Sequence, residues 1–474
     1  MSDSPYKKLA SNTLVFTIAS FGSKVISFVM VPIYSYLLTE EEYGTVDLVL
    51  TTSSLLIPVL FLCISDAVLR YVMDKNYDKK SVVSNSLLVF LGGVVLFICV
   101  IPIIGVFFPN LKRFFIFLAL VLFTNELSTL FNSLLRALGK VKLFAINGIL
   151  HTLSFVGFNI LFLVGFRFKI DGYLLSHILS STISLCFAFV FCSAWNYIGL
   201  CIDKKILKKL LLYSVPLIPN ALMWWIMDLS DKYIIIFYMD IAANGIYAMA
   251  KKLPSIIDMF NGFFNQAWRL SAIEENNSAN IKGFTSKIYE MYSLLHAVII
   301  GILLIVSRPF VMILAKSYKD TWEYIPLLLL SVSVSSLSAF LGSKFVANEK
   351  TKIIFRTTII GAIVNTILNF LLIPQFGLNG AGFATFIGFS IVLFLRERRL
   401  IKDNELDIKF KRLPIYGLII IEFVFYYIFP VFWSSLLNTF VLILFVIYKR
   451  SILLSVIQKF STFVKKKSRN EVAK

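Results

Sequence analysis

Ionisable side chains inside apolar runs are where this sequence is able to do chemistry. Lys24 stands near the middle of an apolar run over about residues 12–38. At 1.5 Å rise per residue either end of that run is roughly 18 Å away, far for a snorkelling lysine stem. A lipid-facing charge there costs at least ~2.5–3.5 kcal/mol on insertion scales. Lys24 therefore either faces a wet cavity, where it meets an anion, or pairs with a carboxylate such as Asp47 or Asp66. Asp66 and Arg70 lie four apart on one helix face. They read either as an ion pair near the inner mouth or as an arginine whose planar fork meets a phosphate. Farther on, Asp228, Asp231 and Lys232 crowd into one apolar run behind Trp224-Trp225. Three ionisable groups so close together are expensive in lipid and belong in the interior. They form a self-neutralising cluster, or else the two aspartates bind a coupling proton or cation while Lys232 faces an anionic substrate. Lys251 and Lys252 follow in the next run, ahead of Asp258; adjacent residues point about 100° apart, so at most one faces a narrow cavity squarely.

Other chemistry is excluded by what the sequence lacks. His151, His177 and His296 are scattered and match no metal motif, and Cys63, Cys99, Cys186, Cys192 and Cys201 lie in or beside apolar runs at no metal spacing. The sequence contains no Walker A loop, Rossmann glycine pattern or nucleophile elbow, so no cofactor, metal or catalytic residue is expected. Glu126 and Glu422 are lone acids in apolar runs, for which helix–helix hydrogen bonding is the default reading.

The elements that hold these residues are membrane helices. Of the 474 residues, 58% are hydrophobic and 15% charged, with mean hydropathy +0.82, whereas a soluble domain carries about 25% charged residues. A net charge of +19 suggests nucleic acid, but the basic residues sit in short turns between apolar runs, which excludes that partner. By the ~20-residue spanning length there are fourteen candidate spans: near 12–38, 44–71, 82–108, 113–135, 143–166, 172–195, 213–238, 243–268, 288–315, 322–346, 353–373, 378–396, 413–430 and 431–448. With both termini inside, the outside turns hold only Lys112/Arg113, Arg167/Lys169 and Lys316/Lys319, and most of the other lysines and arginines fall inside.

The first half is repeated in the second. Ala137-Leu-Gly-Lys-Val-Lys-Leu-Phe144 answers Ala347-Asn-Glu-Lys-Thr-Lys-Ile-Ile354, Asn159 answers Asn369, Asp171-Gly172 answers Asn379-Gly380, and Tyr43-Gly44 answers Asn244-Gly245, all in one order and at nearly one offset of about 200 residues. The expected fold is an all-α polytopic membrane protein of two parallel six-helix lobes, 1–200 and 201–400, with two more spans in 401–448 and a basic cytoplasmic tail at 449–474.

Val29-Met-Val-Pro-Ile-Tyr-Ser-Tyr-Leu-Leu-Thr-Glu-Glu-Glu-Tyr-Gly44 resembles the end of the first span in the polysaccharide biosynthesis (Wzx-type) flippases. Asp66-Ala-Val-Leu-Arg-Tyr71, Leu134-Leu-Arg-Ala-Leu-Gly-Lys140, and Asp231 with Gly245-Ile-Tyr-Ala248 resemble later stations of the same family, which belongs to the multidrug/oligosaccharidyl-lipid/polysaccharide exporter (MOP) superfamily. The resemblance implies a MATE/MurJ-like V of two lobes. It further implies a flippase moving an undecaprenyl-pyrophosphate-linked oligosaccharide from the inner to the outer leaflet of a bacterial cell membrane by alternating access, for capsule, exopolysaccharide or O-antigen export. Partners would be that lipid-linked oligosaccharide, membrane lipids and other polysaccharide-assembly proteins. Ser23-Lys24-Val25 is similar in position to a Ser-Arg-Val of the peptidoglycan-precursor flippases, where cavity arginines serve the pyrophosphate; lysine keeps the charge and loses the fork. On this reading Lys24, Arg70, Lys232 and Lys252 bind substrate, and Asp228 and Asp231 are candidates for ion coupling. The alternatives are an ion-coupled drug or organic-cation antiporter of the same superfamily, a membrane-embedded polymerase, against which the short outer turns argue, and a scaffold of the cell envelope.

Overall fold

The computed structural model describes residues 26, 28–107, 109–199, 202–262, 264, 281–348, 350–407 and 413–450. Among them there is no strand. In chain order the helices are α1 (Phe28–Leu37), α2 (Glu40–Leu60), α3 (Ile64–Met73), α4 (Lys79–Phe107), α5 (Phe115–Ala137), α6 (Val141–Asn159, continued by a π turn over Ile160–Gly165) and α7 (Lys169–Phe191). There follow α8 (Lys204–Ser214), α9 (Ile218–Tyr238), α10 (Ile241–Ala250), α11 (255–262), α12 (Ile281–Ile313), α13 (Ile325–Ala347), α14 (Thr351–Lys402), α15 (Leu413–Ile428) and α16 (Val431–Tyr448). Helix occupies most of the described part of each expected apolar run, and ten helical segments are long and apolar enough to cross a membrane.

Local chemistry sets the boundaries. The acidic stretch after Thr39 is a capping box: Thr39 Oγ1 accepts from the Glu42 amide at 3.2 Å and Glu42 Oε2 accepts from the Thr39 amide at 3.0 Å. Its three glutamates also sit where the dipole of α2 favours negative charge. Asp203 caps α8 through the amides of Lys205 and Ile206. The second expected run is not one rod. Pro58 lies in the last turn of α2, and Leu62 and Cys63 take left-handed backbone conformations (φ 54° and 52°) that separate α2 from α3. The range given for α14 holds two helices, one for each of two expected runs, which meet at Gly377, where φ 57° and ψ −135° break the helix.

Each helix buries one face. On α4, Val82, Val83 and Ser86 are buried while Leu91, Val95 and Ile98 are exposed, as lipid contact requires. Since lipid tails are as apolar as leucine, packing and interhelical hydrogen bonds hold such helices together, at about 0.6 kcal/mol per bond. One polar seam runs between α5, α6 and α7: Ser128 and Ser184 hydroxyls lie 3.0 Å apart, and Asn147 Nδ2 donates to Asn132 Oδ1 at 2.8 Å and to the Ser184 carbonyl at 3.0 Å.

The chain forms two compact units, Met1–Gly245 and Ile246–Lys474. In the first, Ile64, Val68, Leu130, Leu134, Ala188 and Leu210 make one core from α3, α5, α7 and α8, so the lysine-rich α8 is seated by its apolar side. In the second, Tyr289, Tyr292, Phe340, Phe345 and Leu400 pack α12, α13 and α14, and Leu294, Ala297, Ile415, Leu418 and Phe445 pack α12 against α15 and α16. The first unit ends after α9, which packs along α2, whereas the sequence repeat has its own boundary near residue 200.

Candidate functional site

The densest charged site among the expected residues lies in the first unit, between α2, α9 and the start of α10. Asp47 and Thr51 are one turn apart on α2 and both meet Lys232 of α9. The ammonium donates to Asp47 Oδ1 at 2.9 Å and to Thr51 Oγ1 at 3.2 Å. The other carboxylate oxygen of Asp47 accepts from Asn244 Nδ2 at 3.3 Å, and that amide also reaches the Gly44 carbonyl at 3.1 Å. The pair is withdrawn from solvent, with 8% of the Lys232 side chain exposed and 19% of Asp47. Asp231 is buried beside it, its Oδ1 accepting from the Lys232 amide at 2.9 Å.

Two further contacts lock α9 along α2. Tyr233 and Thr52 share a hydroxyl hydrogen bond of 2.6 Å, and the Trp225 indole donates to Ser54 Oγ at 3.0 Å and to the Thr51 carbonyl at 3.3 Å. The close approach of α2 and α10 depends on two glycines. A Cβ on Gly44 would overlap the Ile241 carbonyl, and one on Gly245 would overlap the Glu40 carbonyl. Asp240 Oδ1 caps α10 through the Ala243 amide at 2.7 Å, which fixes the turn that brings Asn244 to Asp47.

The remaining expected residues are spread out. Lys24 lies outside the described residues. Asp228 is exposed where Asp231 is buried, so the two aspartates do not share one environment, and the carboxylate that holds Lys232 comes from α2, not from Asp228 one turn back. Arg70 is exposed and makes no ion pair with Asp66 among the described residues; its guanidinium lies over the Tyr213 ring of α8, 5.1 Å from the centroid. Lys251 and Lys252 occupy a turn over 251–254, before Pro254, that interrupts the eighth expected run; Lys251 sits 5.2 Å from the Tyr247 ring centroid.

Asn244 and Thr51 were not singled out by side-chain type. The signal that pointed to the first was the pairing of Asn244-Gly245 with Tyr43-Gly44. Arg396 was also missed. It is fully buried at the end of an apolar run and donates to Thr357 Oγ1 at 3.1 Å, Thr358 Oγ1 at 3.0 Å and the Ser338 carbonyl at 2.7 Å. Among the described residues no group of three or more His, Cys, Asp or Glu side chains is placed to hold a metal ion.

The described residues are helical, ten of their helical segments are long and apolar enough to cross a membrane, and two of these share a buried ion pair, which makes this a polytopic membrane protein. Residues 9–269 match the family described as polysaccharide biosynthesis protein, and the chain belongs to that family. No curated protein matches it. Among solved structures it is similar to the lipid II flippase MurJ in an inward closed conformation, with 16% identity, coverage of 93% of this chain and 100% of that one, and a TM-score of 0.70. It is also similar to a multidrug resistance MATE family transporter of the MOP superfamily in an inward-facing conformation, with 14% identity, coverage of 82% and 99%, and a TM-score of 0.67. The fold is therefore that of the MurJ and MATE transporters.

Proposed function

We propose that this protein is a flippase that carries an undecaprenyl-pyrophosphate-linked oligosaccharide from the inner to the outer leaflet of a bacterial cell membrane, with both termini cytoplasmic, by alternating access. The match of residues 9–269 to the polysaccharide biosynthesis family carries this reading, and likeness to a lipid II flippase over the whole of that chain supports it. A pyrophosphate headgroup holds at least two negative charges and does not cross hydrocarbon unaided. Lys24, Arg70, Lys232 and Lys252 would replace its lost hydration with charge-assisted hydrogen bonds, while the polyprenyl tail stays in lipid. Lys232 would do so by exchange: its ammonium is held by one carboxylate and one hydroxyl, and a phosphate that displaced Asp47 would remove one of the links between α9 and α2. Asp228 and Asp231 are assigned to the coupling proton or cation. The two sequence halves, 1–200 and 201–400, act as the two lobes, spans 13 and 14 stand outside the repeat, and 449–474 is the cytoplasmic tail. An inside-negative membrane adds about 2.3 kcal/mol per charge per 100 mV to outward movement of the anion, an advantage cancelled by a lysine that moves with it.

The second reading, an ion-coupled antiporter of organic cations, is favoured by the likeness to a multidrug transporter. The test is translocation of a labelled undecaprenyl-pyrophosphate oligosaccharide in proteoliposomes, with wild type beside Lys24→Ala. Transport lost in the folded variant supports the flippase and the anion role of Lys24 together. Equal transport keeps the flippase and returns Lys24 to an ion pair. No transport by wild type with carriers from several glycan pathways supports the antiporter.

A further inference from the structure

The two lone acids of the apolar runs have opposite surroundings. Glu126 on α5 accepts a hydrogen bond from Ser65 at 2.6 Å, as a helix–helix contact should. Glu422 on α15 is fully buried, and neither carboxyl oxygen has a hydrogen-bond partner among the described residues. Across the same layer, Asn438 of α16 is also fully buried, and both its Nδ2 and its Oδ1 lack partners. The packing sets the two side chains at one level. A Cβ on Gly301 of α12 would run into both Glu422 Oε1 and the Leu442 side chain, so Glu422 and Leu442 meet α12 at Gly301. Ser435 Oγ donates to the Ile305 carbonyl one turn along α12. Ser435, Asn438 and Leu442 follow the i, i+3, i+7 spacing of a single helix face, which puts Asn438 between the levels of Gly301 and Ile305.

Among the described residues no other charge reaches this layer. On α12 the nearest ionisable groups are His296, packed on the Tyr292 ring, and Arg308, which lies over the Trp322 and Tyr426 rings and donates to the Phe429 carbonyl. On α15 they are Tyr426 and Tyr427, whose hydroxyls donate to the carbonyls of Trp322 and Glu323. On α16 the first is Tyr448 at its end. A divalent cation needs six or more oxygens, and two side chains offer three. A carboxylate ion here would have neither a partner nor water, an arrangement that proteins avoid by neutralising the group. A carboxylic acid removes the charge; the pair is not bonded in this structure, but a side-chain rotation that brings the two together would let the acid O–H donate to Asn438 Oδ1 and its carbonyl accept from Asn438 Nδ2, satisfying both orphaned groups.

We propose that Glu422 is a proton-binding site, held as the neutral acid against Asn438 and Gly301 for as long as α12, α15 and α16 are packed together. Proton occupancy and packing are then linked. Separating the layer lets the proton go, and removing the proton drives α15 and α16 off α12. The site is independent of which cargo the protein carries.

Infrared spectroscopy of the full-length protein in lipid tests this. A carboxylic-acid carbonyl band at neutral pH that disappears in Glu422→Gln is expected. In Asn438→Leu, which keeps the acid, the band should move to the frequency of an acid without a hydrogen-bond partner, and this assigns it even where Glu422→Gln does not accumulate. Thermal unfolding supplies the linkage: wild type should lose stability as pH rises from mildly acidic to alkaline, and Glu422→Gln should lose that dependence. An acid band unchanged in both variants, or a band that sodium or calcium abolishes at constant pH, overturns the proposal, the second in favour of a cation site.

Discussion

The turn after α5 and the turn after α13 share a backbone hydrogen bond and differ in their anchors. In the first, the Lys140 amide donates to the Leu135 carbonyl at 2.9 Å; in the second, the Lys350 amide donates to the Phe345 carbonyl at 2.8 Å. Each lysine side chain then reaches the end of a later helix. Lys140 Nζ donates to the Phe191 carbonyl at the end of α7, and Lys350 Nζ donates to Asp403 at the end of α14, both at 2.8 Å. The likeness continues inward. Asn159 and Asn369 are both fully buried, each donating to the residue four positions earlier and each with an unpartnered Oδ1. Gly172 lies against Phe162, and its counterpart Gly380 against Leu372. At these paired positions the places where the backbone turns and where it must approach closely correspond, while the side chains that fasten each turn differ. A neutral carbonyl holds the first and a carboxylate the second.

The largest effect that would sharpen this comparison is at the paired glycines. A Cβ on Gly380 overlaps the Leu372 backbone, whereas one on Gly172 meets the Phe168 and Phe162 Cβ atoms at 3.0 and 3.1 Å. Gly380→Ala is expected to cost roughly 3 kcal/mol and Gly172→Ala nearer ~1, because the backbone at Leu372 has less freedom to give way. Thermal unfolding in detergent reads both, and equal losses would mean that the close approach is not differently built in the two copies. The other glycine pair touches directly. Gly44→Ala forces α2 from α10 and should cost about 2 kcal/mol. Lys232→Ala should cost a similar ~2 kcal/mol by stranding the carboxylate of Asp47, and Asp47→Asn with Lys232→Gln should recover part of it.

These sites also show what a sequence of this kind makes legible. Apolar run length located the helices, since the spanning length is fixed by the bilayer and needs no knowledge of neighbours. The repeat located the glycines, which depend only on backbone approach. Partner choice was not legible. Nothing in the spacing of Asp228 and Lys232 says that a carboxylate of α2 takes the lysine, because which helices lie side by side is decided by packing over the whole unit. The break at Leu62-Cys63 had no glycine to mark it, whereas the turn between the two runs of α14 falls at a glycine, Gly377. Arg396 was passed over because an arginine at the end of an apolar run ordinarily marks the membrane surface; here it is buried and held by threonines and a carbonyl.

A smaller effect separates the buried asparagines. Asn369 Nδ2 donates to Asn365 Oδ1, and Asn365 Nδ2 in turn donates to Thr385 Oγ1 at 3.3 Å, so this chain ties the two halves of α14 together. Asn159 donates only within its own helix, to Phe155. Asn369→Ala should therefore cost about 1 kcal/mol and Asn159→Ala about half that. The reverse order would break the view that the second copy relies more on side-chain links.

The smallest effect tests the anchors themselves. The hydrogen bond from Lys350 holds the Asp403 carboxyl below its usual range, and the same bond holds the Lys350 ammonium above its own. A carboxylate with a lowered pKa adds stability that is fully present above its unfolded value of 3.8 and is lost as pH falls below it. An ammonium with a raised pKa adds stability that is fully present below 10.5 and is lost as pH rises past it. The clamp on the second turn should therefore be flat between those limits and weaken outside both. Lys350 is 39% exposed, so the whole contribution should be about 0.5 kcal/mol and should shrink with added salt. The comparison of wild type with Lys350→Ala across pH reads it as a stability difference that vanishes at both extremes. The matching comparison with Lys140→Ala should show no loss on the acid side, because a backbone carbonyl has no carboxylate to protonate; a loss of equal size there would mean that the two turns are fastened alike.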